Sequence, residues 1–226
     1  MRPAALLALL QLSDSAFPTG SFSHSMGLEA LVARGQVSGA TRLEAVVAGQ
    51  LDALATSDCA ALRATVRTSS IAEVAELDRA VSATKLARES RAASSATGTS
   101  LLDAVTAFEL DDPLVAELST AVRNGSVAGN LAVVYGAVAR ALEISPRAAV
   151  SSYLYTAAAG LVAAGQKLIP LGQTTAQGIL YRLGDRIAGA ARRSETVSAT
   201  DLFSFSPLVE IASMAHERQR IRLYIS

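Results

Sequence analysis

The chain offers few places where chemistry could start. Two histidines, His24 and His216, one cysteine, Cys59, and three methionines are its only imidazole and sulfur side chains in 226 residues. His24 has hydroxyls beside it in Ser21, Ser23 and Ser25, so a serine hydrolase built on this loop is one reading. Such an enzyme would present its nucleophile on a sharp Gly-x-Ser-x-Gly elbow, which is absent. Serines beside Pro18 and Gly20 ordinarily serve as turn and cap residues. No Gly-x-x-x-x-Gly-Lys-Ser/Thr string cradles phosphate, and His216-Glu217-Arg218-Gln219-Arg220 lacks the second histidine of a zinc-protease helix. The histidines and Cys59 make a tight metal site only if copies meet across a dimer axis. The expectation is therefore no catalytic residue, no cofactor and no metal site within one chain.

Arg220 and Arg222 near the end admit two uses. A guanidinium can enter another protein's phosphate site as an arginine finger, or it can pair with acidic groups at the rim of an interface. The second is the plainer reading.

The elements that position these residues read as helices. Residues 10–29 are the exception: Ser13 to Ser25 gathers Pro18, Gly20, Phe17, Phe22, His24 and five serines in an otherwise Ala- and Leu-rich chain. Pro18 holds Phe17 extended and Gly20 permits left-handed backbone, so this is a shaped loop between helices. Its two aromatics either tuck beneath it or wait for a partner. Ser23 or Ser25 is placed to cap the helix that follows. Thr41/Glu44 and Ser70/Glu73 have capping-box spacing, Asp112-Pro113 and Ser145-Pro146 read as cap and first helical residue, and Pro170-Leu171-Gly172 breaks a helix rich in small residues. The helix opened by Ser70 is expected to continue through Lys85, Arg88, Glu89 and Arg91 with a wet or partner-facing side. Leu131 to Leu142 is apolar nearly all round and should be central. After a last helix from Ser206-Pro207, Arg218, Arg220 and Arg222 alternate with Ile221, Leu223 and Ile225. Period two does not suit a helix, so residues 219–226 read as a tail that orders on a partner.

The fold class expected is all-α: a single domain over residues 1–226, a bundle of about nine or ten helices. Twenty basic and twenty acidic residues cancel, which leaves no electrostatic footprint for nucleic acid. Met1 to Leu10 resembles a leader but has one charge and no small-x-small cleavage site, so it reads as a first helix. The uninterrupted apolar run 157–165 is too short to span a membrane. A lone Cys59 in apolar surroundings fits a reducing compartment.

Four blocks, in order along the chain, resemble the UreF family of urease accessory proteins: Leu10 to Glu29; Lys85-Leu86-Ala87-Arg88-Glu89-Ser90-Arg91 with Gly98 and Leu101-Leu102; Leu168-Ile169-Pro170-Leu171-Gly172-Gln173-Thr174; and Pro207 to Glu217 with Arg222-Leu223-Tyr224. Asn130 and Ala132 stand where the family commonly has histidine and proline, and Ala215 and Ile225 where basic residues are usual. The resemblance implies a non-enzymatic, cytoplasmic, dimeric helical protein. Such a protein joins UreD (UreH in some organisms) and the GTPase UreG in bringing nickel to apo-urease, modulating the GTPase. It implies partner-binding roles for Phe17, Phe22, His24, Glu29 and His216, for Arg220, Arg222 and Tyr224 in the tail, and for Gly172 and Gln173 at the helix break. A generic helical scaffold is the alternative on residues alone.

Overall fold

The computed structural model describes residues 1–226, and all its regular elements are helical. Twelve α-helices follow one another: α1 (Pro3–Ser13), α2 (Leu28–Ala33), α3 (Ala40–Thr56), α4 (Asp58–Arg67), α5 (Ile71–Thr84), α6 (Arg88–Ala104), α7 (Pro113–Arg123), α8 (Leu131–Ala141), α9 (Pro146–Leu168), α10 (Gln173–Arg182), α11 (Gly184–Arg193) and α12 (Pro207–His216). Short 3-10 turns occupy Ser21–Ser23 and Val105–Phe108.

The surplus over nine or ten helices arises at breaks that periodicity does not show. The helix begun at Ser70 stops at Lys85, whose backbone is extended (φ −99°, ψ 98°). Two side chains explain the stop. Lys85 reaches across to the buried carboxylate of Asp58, and the Arg91 guanidinium donates to the carbonyls of Lys85 and Leu86, which no following turn satisfies. Helix α6 then runs unbroken through Ser94, Ser95 and Gly98. The second break, at Leu183, divides α10 from α11 just before Gly184.

Local signals held where both partners are near in sequence. Ser70 accepts from Glu73 N–H, Asp112 from Val115 N–H and Ser145 from Ala148 N–H, each satisfying an otherwise orphan donor. Thr41 and Glu44 form no capping box: α3 opens two residues earlier, after Gly39, without a side-chain cap, and Glu44 is engaged by Arg182 at 3.1 Å and 3.2 Å.

Helix α8 is the centre, as its all-round apolarity required. Eight of its residues, Ala132 to Ala139, are buried against α4, α6 and α9. Close approach there depends on glycine: a Cβ on Gly98 of α6 would lie 1.9 Å from the Gly129 carbonyl oxygen at the start of α8. Helix α9 is long and apolar enough to pass as a membrane span, yet 56% of that window is buried inside the bundle, against α1, α3, α4, α8, α10 and α11. Cys59 is wholly buried, and burial, reinforced by Asp58, pushes its thiol pKa well up, so it is an inert packing group.

One polar anchor fixes where α8 begins. Buried Asp78 on α5 accepts from the backbone N–H groups of Ala128 (2.8 Å) and Asn130 (2.7 Å) and from the Asn130 side-chain amide (3.0 Å). That amide also donates to Ser82 Oγ at 2.7 Å. Asn130 is thus committed to a buried hydrogen-bond network with Asp78 and Ser82. Replacing Asp78 by Ala strands the buried Asn130 N–H and removes the acceptor of the part-buried Ala128 N–H, and should cost roughly 2 kcal/mol. Chemical denaturation followed by helical circular dichroism should show a lower midpoint at unchanged slope.

Candidate functional site

The aromatic loop between α1 and α2 and the end of the chain come together, and His216 is the reason. It closes α12 wholly buried, with Nε2 3.0 Å from Glu29 Oε2 on α2 and Nδ1 2.8 Å from Glu89 Oε2 on α6. Neither carboxylate stops there. Glu29 also accepts the backbone N–H groups of Leu223 (2.8 Å) and Tyr224 (3.1 Å), and Glu89 accepts from Arg222 at 2.7 Å. One imidazole therefore ties three helices and the last residues into a single network.

Close contact between α2 and α12 makes room for it. Met26 and Gly27 both carry positive φ, 50° and 82°. A Cβ on Gly27 would come 2.8 Å from Ser213 N and 3.0 Å from Val209 O. Only glycine meets the left-handed backbone and the close approach together. Gly27, not Ser23 or Ser25, is the cap residue of α2, although the Ser25 hydroxyl still accepts from Glu29 N–H at 3.4 Å.

In the isolated chain the tail already has bonding partners. From residue 222 every second side chain turns inward: Arg222 to Glu89, Tyr224 into the body below Lys167, whose ammonium stands 5.7 Å from the ring centroid, and Ser226 onto the loop. Ser25 donates to the backbone oxygen of Ser226 through both N–H (2.5 Å) and hydroxyl (2.9 Å). Ile225 N–H donates to Ser23 O (3.0 Å), and His24 Nδ1 lies 2.8 Å from Ser226 Oγ. The apolar side chains turn outward, with Ile221 89%, Leu223 73% and Ile225 68% exposed. Period two was legible in the sequence, but the face that points to solvent is the apolar one. Leu208, Ile211 and Met214 extend the exposed apolar surface along α12.

The remaining expected residues divide. Phe17 tucks inward, its ring 6.0 Å from that of Phe108, and Phe22 is half-buried beside a surface groove that also includes Tyr155 and Gln173. Gly172 caps α10, and Gln173 accepts from Gln166 at 2.7 Å, so both belong to the helix break on the α9 to α10 side. Arg220 is exposed and forms no ion pair. Glu89 was not among the expected site residues. The sequence puts it on a wet or partner-facing side, and only the third dimension places it under the tail. The hydroxyl bonded to His24 belongs to Ser226, not to Ser21, Ser23 or Ser25. No three His, Cys, Asp or Glu side chains are arranged around one point as ligands.

The electrostatics follow from these bonds. Burial alone would raise the Glu29 pKa. The Leu223 N–H, the His216 ring and the Tyr224 N–H outweigh it and hold the carboxyl below the usual glutamate range. Burial lowers the His24 pKa, against the pull of Glu89. Tyr224 is raised by burial and by Glu29.

The UreF family profile matches residues 37–184. Proteins named urease accessory protein UreF are similar over nearly the whole length. That of Arthrobacter sp. strain FB24 is 38% identical over 224 residues, covering 97% of this chain and 96% of its own. That of Kocuria rhizophila is 34% identical over 229 residues, covering 99% and 97%, and that of Corynebacterium efficiens 31% over 229 residues, covering 100% and 98%. The last of these, covering the whole chain, takes in the loop and the tail, which lie outside the profile match.

Because docking selects ionised Glu29, its contribution is present in full above the ordinary glutamate range and is lost as pH falls through that range and then through the lower docked value. Amide exchange at Leu223 and Tyr224 should accelerate from about pH 5 downwards relative to the body. Glu29→Gln should flatten that dependence and leave the tail weakly protected at neutral pH.

Proposed function

The chain belongs to the UreF family, and from that premise we propose that it is an assembly factor for the urease metallocentre. It acts by holding partners, not by catalysis. In this reading a homodimer engages UreD (UreH in some organisms) and the GTPase UreG on apo-urease in the cytoplasm, and assists nickel insertion by modulating the GTPase. Nickel is the cargo of that complex.

The observation that carries the reading is the inverted tail. A segment held to the body by hydrogen bonds and ion pairs, with Ile221, Leu223 and Ile225 turned to water beside Leu208, Ile211 and Met214, is a surface awaiting cover. The bonds that hold it are also exchangeable. Glu89 with Arg222 and Glu29 with two N–H groups can be replaced by a partner's donors at small net cost. Arg220, unpaired in the chain alone, supplies a free cation at the same place. Phe22 and Gln173 line a separate groove, which fits a second contact such as the dimer or the GTPase.

The test is co-purification with UreD. Removing Gln219 to Ser226 should abolish it while the helical circular-dichroism signal persists. Leu223→Ser with Ile225→Ser, which leaves the inward bonds in place, should weaken it at least tenfold. Undiminished binding by both variants would remove the tail from the docking role. Failure of the intact protein to recover UreD, UreG or urease subunits would favour a generic scaffold.

A further inference from the structure

A second segment shares the tail's reversed polarity. The connection between α11 and α12 ends in Phe203-Ser204-Phe205, and both rings stand in water, Phe203 50% and Phe205 79% exposed. The backbone there is fastened. Phe203 N–H donates to Thr56 O at 3.1 Å, and the Thr56 hydroxyl donates to Phe203 O at 2.7 Å; Thr56 itself is buried at the end of α3. Between the rings, Ser204 lines an interior cleft. Backbone and hydroxyl therefore face the body while both phenyl rings face out, although a ring gains far more from burial than a serine does.

Ser206 and Pro207 carry the chain from Phe205 directly into α12, whose exposed residues Leu208, Ile211 and Met214 run on to the outward side chains of the tail. The charges around this face are unevenly committed. Its carboxylates already hold donors: Glu217 that of Arg88, Glu89 those of His216 and Arg222, and Glu210 the Ala87 N–H at 3.1 Å. Arg218 and Arg220 are exposed and pair with no carboxylate. An incoming surface that brings carboxylates meets two free guanidinium groups, whereas one that brings cations meets no acid that is not already engaged. A second copy laid face to face would bring the same two unpaired arginines.

Resting on the docking role assigned to the tail, we propose that Phe203 and Phe205 are anchors of that same interface, and that the partner surface they enter is apolar and edged with carboxylates that pair with Arg218 and Arg220. Aromatic rings supply large contact area with few torsions to freeze, and the clamp on Thr56 holds these two in place before the partner arrives.

The test is co-expression with UreD of a chain whose tail is intact. Phe203→Ser with Phe205→Ser should leave the denaturation midpoint unchanged, since both rings are already in water, and should lower recovery of UreD about tenfold or more. Phe205→Leu, which keeps an apolar side chain, should bind nearly as the unaltered chain does. Arg218→Gln with Arg220→Gln should weaken recovery and make what remains less sensitive to added NaCl. Undiminished recovery by the serine pair overturns the anchor; if deletion of Gln219 to Ser226 still abolishes recovery, the tail's role stands without it. Undiminished, equally salt-sensitive binding by the glutamine pair overturns the acidic edge. Recovery of UreD unchanged while the serine pair loses self-association in size-exclusion chromatography, or loses sedimentation with phosphatidylserine vesicles, gives the rings to a second copy or to a lipid surface and overturns the proposal.

Discussion

An imidazole between two carboxylates is the constraint on which the functional end of the molecule depends. His216 has no solvent to turn to, and both ring nitrogens face oxygens that accept. The ring has a carboxylate partner at each nitrogen, so the buried imidazole is fully hydrogen-bonded. Removing either carboxylate would leave a buried ring nitrogen without its partner, which costs about 1–3 kcal/mol. The two acids belong to helices far apart in the chain, α2 and α6, so the ring that bridges them also fixes their separation. The aromatic loop begins where α2 is anchored, and the tail ends where Glu29 and Glu89 have acceptor capacity to spare. Position of both segments is thus inherited from one residue.

The rest of the body allows such a polar hub by packing tightly elsewhere. Gly98 against the start of α8, and Gly136 of α8, where a Cβ would fall 2.8 Å from the Leu62 carbonyl of α4, bring backbones together without intervening side chains. Dense contact of this kind gains dispersion at every helix crossing. It also transmits position well, since neighbours of α8 cannot shift singly.

What could be read from the sequence follows a physical division. Caps at Ser70, Asp112 and Ser145 are legible because donor and acceptor lie within three residues, and the helix break at Pro170 to Gly172 because proline and glycine act on their own backbone. The central place of α8 follows from its all-round apolarity. Lys85 to Asp58, 27 residues apart, and His216 to Glu29, 187 apart, leave no periodic trace. Their effects, a helix ended at Lys85 and Glu89 drawn from an expected wet face into a network, appear only when distant elements pack. The resemblance of four short blocks to one family implied partner-binding roles for Glu29, His216, Arg220, Arg222 and Tyr224 alongside Phe17, Phe22, His24, Gly172 and Gln173. It did not say that Glu29 and Glu89 hold the tail from beneath, nor that Arg220 stands apart.

The tail's reversed polarity bears on how firmly it is held. Its attachments are backbone hydrogen bonds to Glu29 and the loop, one ion pair to Glu89 and the burial of Tyr224. Each is worth about 1 kcal/mol net, somewhat more where a charge assists. Ordering some six residues opposes them at about 1 kcal/mol or more each for backbone alone. The balance lies near zero, and it is not helped by Ile221, Leu223 and Ile225, which remain in water in the docked state. Covering those three side chains is worth about 1.5–3 kcal/mol apiece, more than any single bond that fastens the segment. A partner that buries them has the larger driving force and can keep or replace the polar bonds as its own donors allow. A tail with its apolar side inward would have gained that burial within the chain and had little left to offer.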